Sequence, residues 1–271
     1  RDKRLTHDLF ADIGFSVPVT YSLDNITFPC FSKPISGSLS QNIRILQSQG
    51  ELDTWDVPKS EMMYMEIISS EEFDEYTTDA LRALAQNDEI VAIGECGLDF
   101  HRNLSTQDEQ QNAFSRQLEL AAEVDLPVFL HQREAHKELV DLLEPIRHRL
   151  CGGVAHCFTG GPRELRTYLD MDLYIGITGW LCDDSRGGAL RDAVCDIPLE
   201  RLLLETDAPY LLPKDLPNKP SNRRNEPKFL PHVLDRLSKI MKKPVSIIAD
   251  STRINAEKLF KLKLPSIQKI T

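Results

Sequence analysis

The sequence predicts an α/β protein in which parallel strands alternate with helices and close into a barrel. From about residue 89 onward, short apolar runs alternate five times with amphipathic stretches. No glycine-rich phosphate loop follows any of these runs, which disfavours an open dinucleotide-binding sheet. Four of the five runs end near Glu, His, His or Asp, and barrel enzymes carry active-site residues at the carboxyl ends of several strands. We therefore favour a TIM-type (βα)8 barrel over an open, doubly wound sheet.

The elements of this repeating part follow from apolar periodicity and from helix-start residues. We predict strands over residues 89–95, 126–131, 153–158, 173–179 and 201–207. Ser105 precedes an acidic first turn, and Gly161 with Pro162 marks the start of a later helix. The predicted helices cover residues 105–125, 134–149, 162–170, 187–195, 228–241 and 244–262.

The first 88 residues fit this pattern less well. A closed barrel needs three more strands, and the candidates are residues 9–17, 25–31 and 62–69. The stretch between residues 32 and 60 is rich in Ser, Gly and Gln, and its periodicity is weak. We predict a single barrel domain over residues 1–271, in which an atypical N-terminal portion, residues 1–70, supplies the first strands.

Composition limits the classes of function. The net charge of −10 argues against a protein that coats DNA through a broad basic face, because such binding depends on phosphate neutralisation. No apolar run approaches the roughly 20 residues that span a bilayer, so we expect no membrane association. The six cysteines form no CxxC pair, and the N-terminus lacks the apolar core of a secretory signal. We expect a monomer in the cytoplasm, with the nucleus as the alternative.

Four residues near the ends of successive strands form the candidate active site: Glu95, His131, His156 and Asp207. In a barrel their side chains converge on one mouth. Each alone has a structural explanation, such as a hydrogen-bonded core histidine or a turn-forming aspartate, but four metal-competent residues in this arrangement favour a metal site. Their imidazole and carboxylate groups suit Zn²⁺, Mn²⁺, Fe²⁺ or Mg²⁺. One or two ions could bind; Glu95 could bridge two, and Asp207 could also act as a base.

The remaining histidines are weaker candidates. His136 lies five residues after His131, and either the rim of the site or the surface would suit it. We expect surface positions for the others, which are His7, His101, His148 and His232.

Six motifs, in this order, resemble those of the TatD-type metal-dependent deoxyribonucleases. They are VAIGECGLDF (91–100), PVFLHQREAH (127–136), GVAHCFTG (153–160), YIGITGW (174–180), ETDAPYLLP (205–213) and NKPSNRRNEP (218–227). The resemblance covers residues 71–262. The start of the chain lacks the His-x-His with which many members begin, although residues 11–14 echo the Asp-Ile-Gly start of other members. Residues 15–70 depart from the family and lack its Gly-Val-His-Pro-His segment.

The resemblance implies a TIM-barrel hydrolase that requires a divalent metal, with Mg²⁺ expected and Mn²⁺ or Zn²⁺ as alternatives. It implies a nuclease, and specifically a 3′→5′ exonuclease on single-stranded DNA that also accepts RNA. By carry-over, the metal ligands are Glu95, His131, His156 and Asp207, and the catalytic residues are Glu95 and Asp207. Arg133, Arg223 and Arg224 would bind phosphate, because guanidinium groups suit bidentate phosphate contacts.

Two other functions fit parts of the sequence. An amidohydrolase-like barrel would cleave a C–N or ester bond in a small molecule, but no lysine ends any predicted strand, and a carbamylated lysine often marks those sites. A barrel impaired by its atypical first 70 residues would act through interactions rather than catalysis, and would expose apolar surface.

Overall fold

A computed structural model describes residues 20–21, 23–26, 30–34, 44–46, 48–54, 62–66 and 75–262. The chain divides into two compact units, Arg1–Ser69 and Ser70–Thr271. The candidate strand at residues 9–17 lies outside the described residues. That residues 1–271 form one barrel domain, and that residues 1–70 supply its first strands, stay predictions.

The described part of the first unit contains an antiparallel sheet. Its strands are β1 (Thr20–Tyr21), β2 (Cys30–Pro34), β3 (Arg44–Leu46) and β4 (Met62–Glu66), in the spatial order β1-β4-β2-β3. Helix α1 (Gln49–Thr54) follows β3. The strand predicted at residues 62–69 is confirmed over residues 62–66. The strand predicted at residues 25–31 is shifted, because β2 begins only at Cys30.

The second unit contains a parallel sheet. Its strands are β5 (Ile93–Asp99), β6 (Val128–Arg133), β7 (Gly153–Ala155), β8 (Tyr174–Ile177) and β9 (Leu202–Leu204). They lie side by side in chain order, whereas the strand order of a doubly wound sheet reverses at a switch point. Parallel strands in chain order, with helices between them, are the arrangement of a TIM-type barrel. The predicted α/β fold class is therefore confirmed.

The helices of this unit bury apolar side chains against the sheet, among them Phe114, Leu118, Leu139 and Leu165. Among the described helices, none is long and apolar enough to cross a membrane. The helices are α2 (Glu75–Leu84), α3 (Gln107–Val124), α4 (His136–Leu143), α5 (Pro162–Asp170), α6 (Gly188–Ala193), α7 (Leu230–Met241) and α8 (Val245–Leu259). The predicted bounds are confirmed for α5 and are close for α3, α6, α7 and α8. The helix predicted at residues 134–149 was too long, because α4 ends at Leu143, and α2 was not predicted.

Helix α3 begins one residue later than Ser105 indicates, because Thr106 is its N-cap. The Thr106 hydroxyl accepts a hydrogen bond from the Glu109 amide at 3.3 Å, and the Glu109 carboxylate accepts one from the Thr106 amide at 2.7 Å. This reciprocal pair satisfies amides that the first turn leaves free.

Strand β5 differs from the strand predicted at residues 89–95, which was wrong at both ends. β5 begins at Ile93 and continues to Asp99, so Glu95 lies inside the strand. The cause is an irregularity: the pairing register with β6 shifts between Gly94 and Cys96. A bulge of this kind adds a residue without a ladder partner, which apolar alternation does not reveal.

Asn255 fastens α8 to the end of the sheet. The residue is only 5% exposed, and its side-chain amide donates to the carbonyl oxygens of Leu199 at 2.7 Å and Leu202 at 2.8 Å. Because Leu202 opens β9, these bonds fix the helix against the strand that precedes Asp207.

Asp183 organises the loop that follows β8. Its side chain is 3% exposed and contacts Arg186 Nε at 2.6 Å and Lys214 Nζ at 2.8 Å. The hydroxyl and amide of Ser185 also donate to it, at 2.7 and 3.1 Å. Burial alone would raise the pKa of Asp183, but the contacts with Lys214, Ser185 and Arg186 outweigh it and hold the pKa well below its ordinary value.

We expect Asn255→Ala to lower the free energy of unfolding by about 2 kcal/mol, because two buried carbonyl oxygens lose their donor. Urea unfolding measures this loss. The control is Ile254→Ala, at a neighbouring side chain that is 51% exposed, which should change stability by less than about 0.5 kcal/mol. Equal urea midpoints for the two variants would contradict the proposed attachment.

We expect Asp183→Asn to lower the free energy of unfolding by about 3 kcal/mol at pH 7, because it removes the charge that pairs with two cations at a buried position. The depressed pKa means that the stabilisation by Asp183 is present above its unfolded pKa of about 3.9 and is lost as the pH falls through the folded pKa. The difference in the free energy of unfolding between parent and variant should therefore begin to shrink below about pH 4. A difference that does not depend on pH would overturn this assignment.

Candidate active site

Glu95 and His131 come together from neighbouring strands. The register shift in β5 leaves Glu95 without a partner in the ladder, and its Oε1 lies 2.6 Å from His131 Nδ1. Gly97 permits the close approach of the two strands, because a β carbon there would overlap the carbonyl oxygen of His131. The bulge explains how a carboxylate inside a strand reaches the imidazole.

His156 lies between two carboxylates that follow β9. It comes directly after β7, and its side chain is 10% exposed. Its Nδ1 lies 2.9 Å from Glu205 Oε2, and its Nε2 lies 3.0 Å from Asp207 Oδ1. Glu205 also accepts a hydrogen bond from the Cys157 amide at 2.9 Å. Because both ring nitrogens have a carboxylate partner, the orientation of the imidazole is fixed.

These contacts join the four predicted residues into one group. Glu95 Oε1, which touches His131, also lies 4.0 Å from His156 Nε2. Contacts therefore run without a gap from His131 through Glu95 and His156 to Asp207. We call these four residues the acid–histidine cluster. The structure places them together, while their roles stay predictions.

Two carboxylates of the site were missed at the level of sequence. Asp99 Oδ2 lies 3.2 Å from His131 Nε2, so the ring of His131 also contacts an acid on each side. The signal for Asp99 was hidden because the predicted strand ended at Glu95. Glu205 was missed although it stands two residues before Asp207, a spacing that places side chains on one side of an extended chain.

Charge in the cluster favours a bound cation. Burial alone would lower the pKa of His156, but hydrogen bonds to Asp207 and Glu205 outweigh it and raise this pKa to about 10. The hydrogen bond with His131 lowers the pKa of Glu95 despite partial burial. Burial likewise opposes ionisation of Asp207, yet the contact with His156 keeps its pKa below the ordinary value. Carboxylates that hold a proton on a buried imidazole also attract a divalent cation.

The donor set fits such a cation. Imidazole nitrogens and carboxylate oxygens are ligands of Mn²⁺, Zn²⁺ and Fe²⁺, and carboxylates also suit Mg²⁺. Glu205 holds Nδ1 of His156, so that Nε2 faces the cluster, as is usual for histidine ligands with a carboxylate behind them. The second oxygen of Glu205, Oε1, is buried and has no hydrogen-bond partner among the described residues.

Two cavities adjoin the cluster. One, of 450 Å³, is lined by His156 together with His136, Phe158, Glu164 and Tyr168. The other, of 310 Å³, is lined by Glu95 and His131. His136 is half-buried, and its Nδ1 lies 3.1 Å from the Tyr168 hydroxyl. His136 therefore lies beside the site rather than on a remote surface.

The predicted phosphate-binding arginines lie at different places. Arg133 ends β6 and is half-buried. Arg223 is exposed and lines a third cavity, of 320 Å³, between the loops that follow β8 and β9. Arg224 is half-buried, and its Nε has no hydrogen-bond partner among the described residues. Among the ion pairs of the described residues, none joins one of these three arginines to the acid–histidine cluster.

A second group that could hold a metal ion consists of Cys182, Asp215 and His232, whose ligand atoms lie within 4.8 Å of one another. His232, predicted to be a surface residue, is half-buried, and its Nε2 lies 2.7 Å from Asp215 Oδ1. Arg236 Nε lies 3.7 Å from the other oxygen of Asp215. Because each carboxylate oxygen of Asp215 contacts a side-chain nitrogen of α7, these contacts also attach the long loop after β9 to that helix.

Comparison with known proteins identifies the family. A family model described as TatD related DNase matches residues 62–261. The match begins somewhat before residue 71, where the sequence motifs place the start of the resemblance. It includes β4 as well as the whole parallel sheet.

Curated relatives are about half identical to this chain. The protein named 3′-5′ ssDNA/RNA exonuclease TatD from Citrobacter rodentium is 52% identical over 197 residues, which cover 73% of this chain and 75% of that protein. The protein of the same name from Pantoea ananatis is 55% identical over 182 residues, covering 67% of this chain and 70% of that protein.

Solved structures agree with the family. YJJV, a TatD homologue from Escherichia coli k12, has a TM-score of 0.61 at 28% identity and covers 72% of this chain and 74% of its own. A TatD-family hydrolase from Entamoeba histolytica has a TM-score of 0.61 at 27% identity, covering 71% and 72%. With a family model that spans most of the chain and relatives that are half identical, this chain belongs to the TatD family of DNase-related proteins.

Proposed function

We propose that this chain is a divalent-metal-dependent nuclease that hydrolyses phosphodiester bonds. Its substrate is single-stranded DNA, degraded as a 3′→5′ exonuclease, and RNA is accepted as well. The relatives named 3′-5′ ssDNA/RNA exonuclease TatD support this substrate and this direction. The observation that carries the proposal is the unbroken series of contacts through the acid–histidine cluster, whose residues lie in β5 and β6 and just after β7 and β9.

In this proposal Glu95, His131, His156 and Asp207 are the metal ligands. A divalent cation held by these residues would neutralise charge on the phosphate and make water a better nucleophile. Asp207 would take the proton of the attacking water, since the contact of its Oδ1 with His156 Nε2 holds the carboxylate at the cluster. The water oxygen forms a bond to phosphorus, the bond from phosphorus to the sugar oxygen breaks, and that oxygen takes up a proton from solvent.

The phosphate backbone outside the cluster would contact Arg133, Arg223 and Arg224. Guanidinium groups bind phosphate oxygens in pairs and stay charged at every relevant pH. Arg133 is supported by its position at the carboxyl end of β6, two residues after His131. Arg223 is supported by its exposed position on a cavity that the loop after Asp207 helps to line.

A nuclease is favoured over an amidohydrolase-like activity on small molecules. No lysine lies in the five strands of the parallel sheet, so these strands offer no carbamylated lysine to bridge two metals. Mg²⁺ is the ion that we propose, with Mn²⁺ and Zn²⁺ as alternatives because two imidazoles belong to the ligand set. We further propose that the enzyme acts as a monomer in the cytoplasm.

We expect Glu95→Ala to reduce cleavage of single-stranded oligonucleotides by more than about 100-fold. Loss of a residue that only supports a metal ligand already costs up to about 100-fold, and Glu95 is proposed to be a ligand itself. Degradation is followed by gel electrophoresis with EDTA, Mg²⁺ and Mn²⁺ in parallel. The control is Glu200→Ala, at an exposed carboxylate just before β9, at the other end of the strand from Asp207.

Full activity of Glu95→Ala, or activity that persists in EDTA, would exclude the proposed centre. A folded parent protein that cleaves no oligonucleotide with any of these metals would favour the small-molecule or interaction alternatives.

We expect Glu205→Gln to weaken Mn²⁺ binding about 10- to 100-fold, because the carboxylate that orients His156 is lost while its shape is kept. Gly176→Ala should act through the same contact, since a β carbon at this position would overlap the Glu205 carboxylate. Titration calorimetry measures the affinity, and thermal unfolding confirms that each variant is folded. Unchanged affinity in both folded variants would show that Glu205 does not position the histidine.

A further inference from the structure

A basic pocket lies beside the candidate active site. It has a volume of 320 Å³ and is lined by four cations, Arg186, Lys214, Lys219 and Arg223, which we call the basic pocket residues. One wall comes from the loop after β8 and the other from the loop after β9. Both loops leave the same ends of the strands as the acid–histidine cluster.

Short contacts connect the two walls with the cluster. A β carbon at Gly179 would overlap the carbonyl oxygen of Leu211, so the two loops touch through backbone. Thr178, directly before Gly179, has its hydroxyl 3.1 Å from the Cys157 sulfur, next to His156. Leu211 stands four residues after Asp207. The pocket is therefore the next recess along the sheet, on the β8 and β9 side of the cluster.

The pocket carries positive charge that the loop itself does not neutralise. Among the described residues that line it, the only carboxylate is that of Asp183, which is buried and paired with Arg186 and Lys214. In the ion pairs of the described residues, neither Lys219 nor Arg223 has a carboxylate partner, and both side chains are exposed. This positive charge is local, since the whole chain has a net charge of −10. It marks this recess as a site for an anion.

The uncharged lining indicates which anion would bind. Trp180 is half-buried, and the Arg186 guanidinium lies 4.2 Å from the centroid of its ring. Leu211, Leu212 and Pro213 add apolar surface. Planar aromatic and guanidinium groups provide surfaces on which nucleic-acid bases stack, while lysine and arginine contact the phosphates. A combined basic, aromatic and apolar lining suits a nucleotide unit better than a simple inorganic anion.

We infer that the basic pocket is a second nucleotide subsite. It binds a phosphate and a base of the single strand beyond the nucleotide that the acid–histidine cluster cleaves. The inference rests on the proposed nuclease function and adds to it a determinant of substrate length. Lys219 and Arg223 contact phosphate, and Trp180 with Arg186 supports the base. Asp183 keeps Arg186 and Lys214 in place and does not contact the strand.

The test is binding of a 5′-fluorescein-labelled oligothymidylate of about 12 nucleotides, a typical site size for single-strand binding, measured by fluorescence anisotropy. All proteins carry Glu95→Ala, so that the strand stays intact. The double variant combines Lys219→Ala with Arg223→Asn, because Arg223 has a φ of 52°, which asparagine tolerates well. The control combines Lys243→Ala with Lys258→Ala, two exposed lysines of the α7–α8 turn and of α8.

We expect the double variant to bind the oligonucleotide about tenfold more weakly. The slope of log affinity against log salt should become shallower by about 0.7 for each phosphate contact that is lost. A labelled thymidine mononucleotide, which has no second nucleotide to place in the pocket, should lose much less affinity. The control should behave like the parent, and thermal unfolding should show that all variants are folded.

Equal affinity and equal salt dependence in the folded double variant and the control would overturn the inference, even if the parent enzyme cleaves DNA. An equal loss for the mononucleotide and the longer strand would also overturn it, because the pocket would then not be a separate subsite. If the parent cleaves no DNA yet the double variant alone loses oligonucleotide affinity, the subsite stands and the proposed nuclease activity fails.

Discussion

The position of one buried carboxylate, that of Glu205, determines much of this site. It follows β9, fills the space that Gly176 of β8 leaves by having no side chain, and accepts hydrogen bonds from His156 and Cys157 after β7. A single side chain thus connects the carboxyl ends of three neighbouring strands. Because it fixes Nδ1 of His156, it decides that Nε2 faces Asp207. The contact between Glu205 and His156 therefore both connects β7 with β9 and orients the imidazole within the cluster.

Charge is separated along the carboxyl end of the sheet. The cluster gathers carboxylates around two imidazoles, which raises the pKa of His156 to about 10 and suits a cation. The recess between the loops after β8 and β9 has the opposite sign, with Lys219 and Arg223 exposed. A phosphodiester chain needs both environments: a cation at the bond that breaks, and basic side chains along the phosphates that remain. A net charge of −10 is compatible with this arrangement because the positive charge is local.

The sequence predicted the fold class, the five strand–helix units and the four residues of the cluster, since apolar periodicity and strand-end position are local properties. Periodicity could not locate the bulge in β5, because pairing with another strand defines it, and so Asp99 fell outside the predicted strand. His232 was predicted on the surface, yet it is half-buried and contacts Asp215, which lies 17 residues earlier in the chain. Glu205 was missed because its position depends on the space beside Gly176, a residue that is distant in sequence. Contacts between distant residues thus account for these errors.

The long loop after β9 is held in a fixed position relative to the acid–histidine cluster. Asn225 is 4% exposed, and its amide donates to the Tyr210 carbonyl at 2.7 Å and to the Thr206 hydroxyl at 3.3 Å. It thereby folds the far end of the loop, with the neighbouring Arg223, back onto the residues around Asp207. A basic residue so far along a free loop would lose its position through conformational entropy. The bonds of Asn225 remove that freedom, so the distance between the cluster and the basic pocket is a fixed property of the fold.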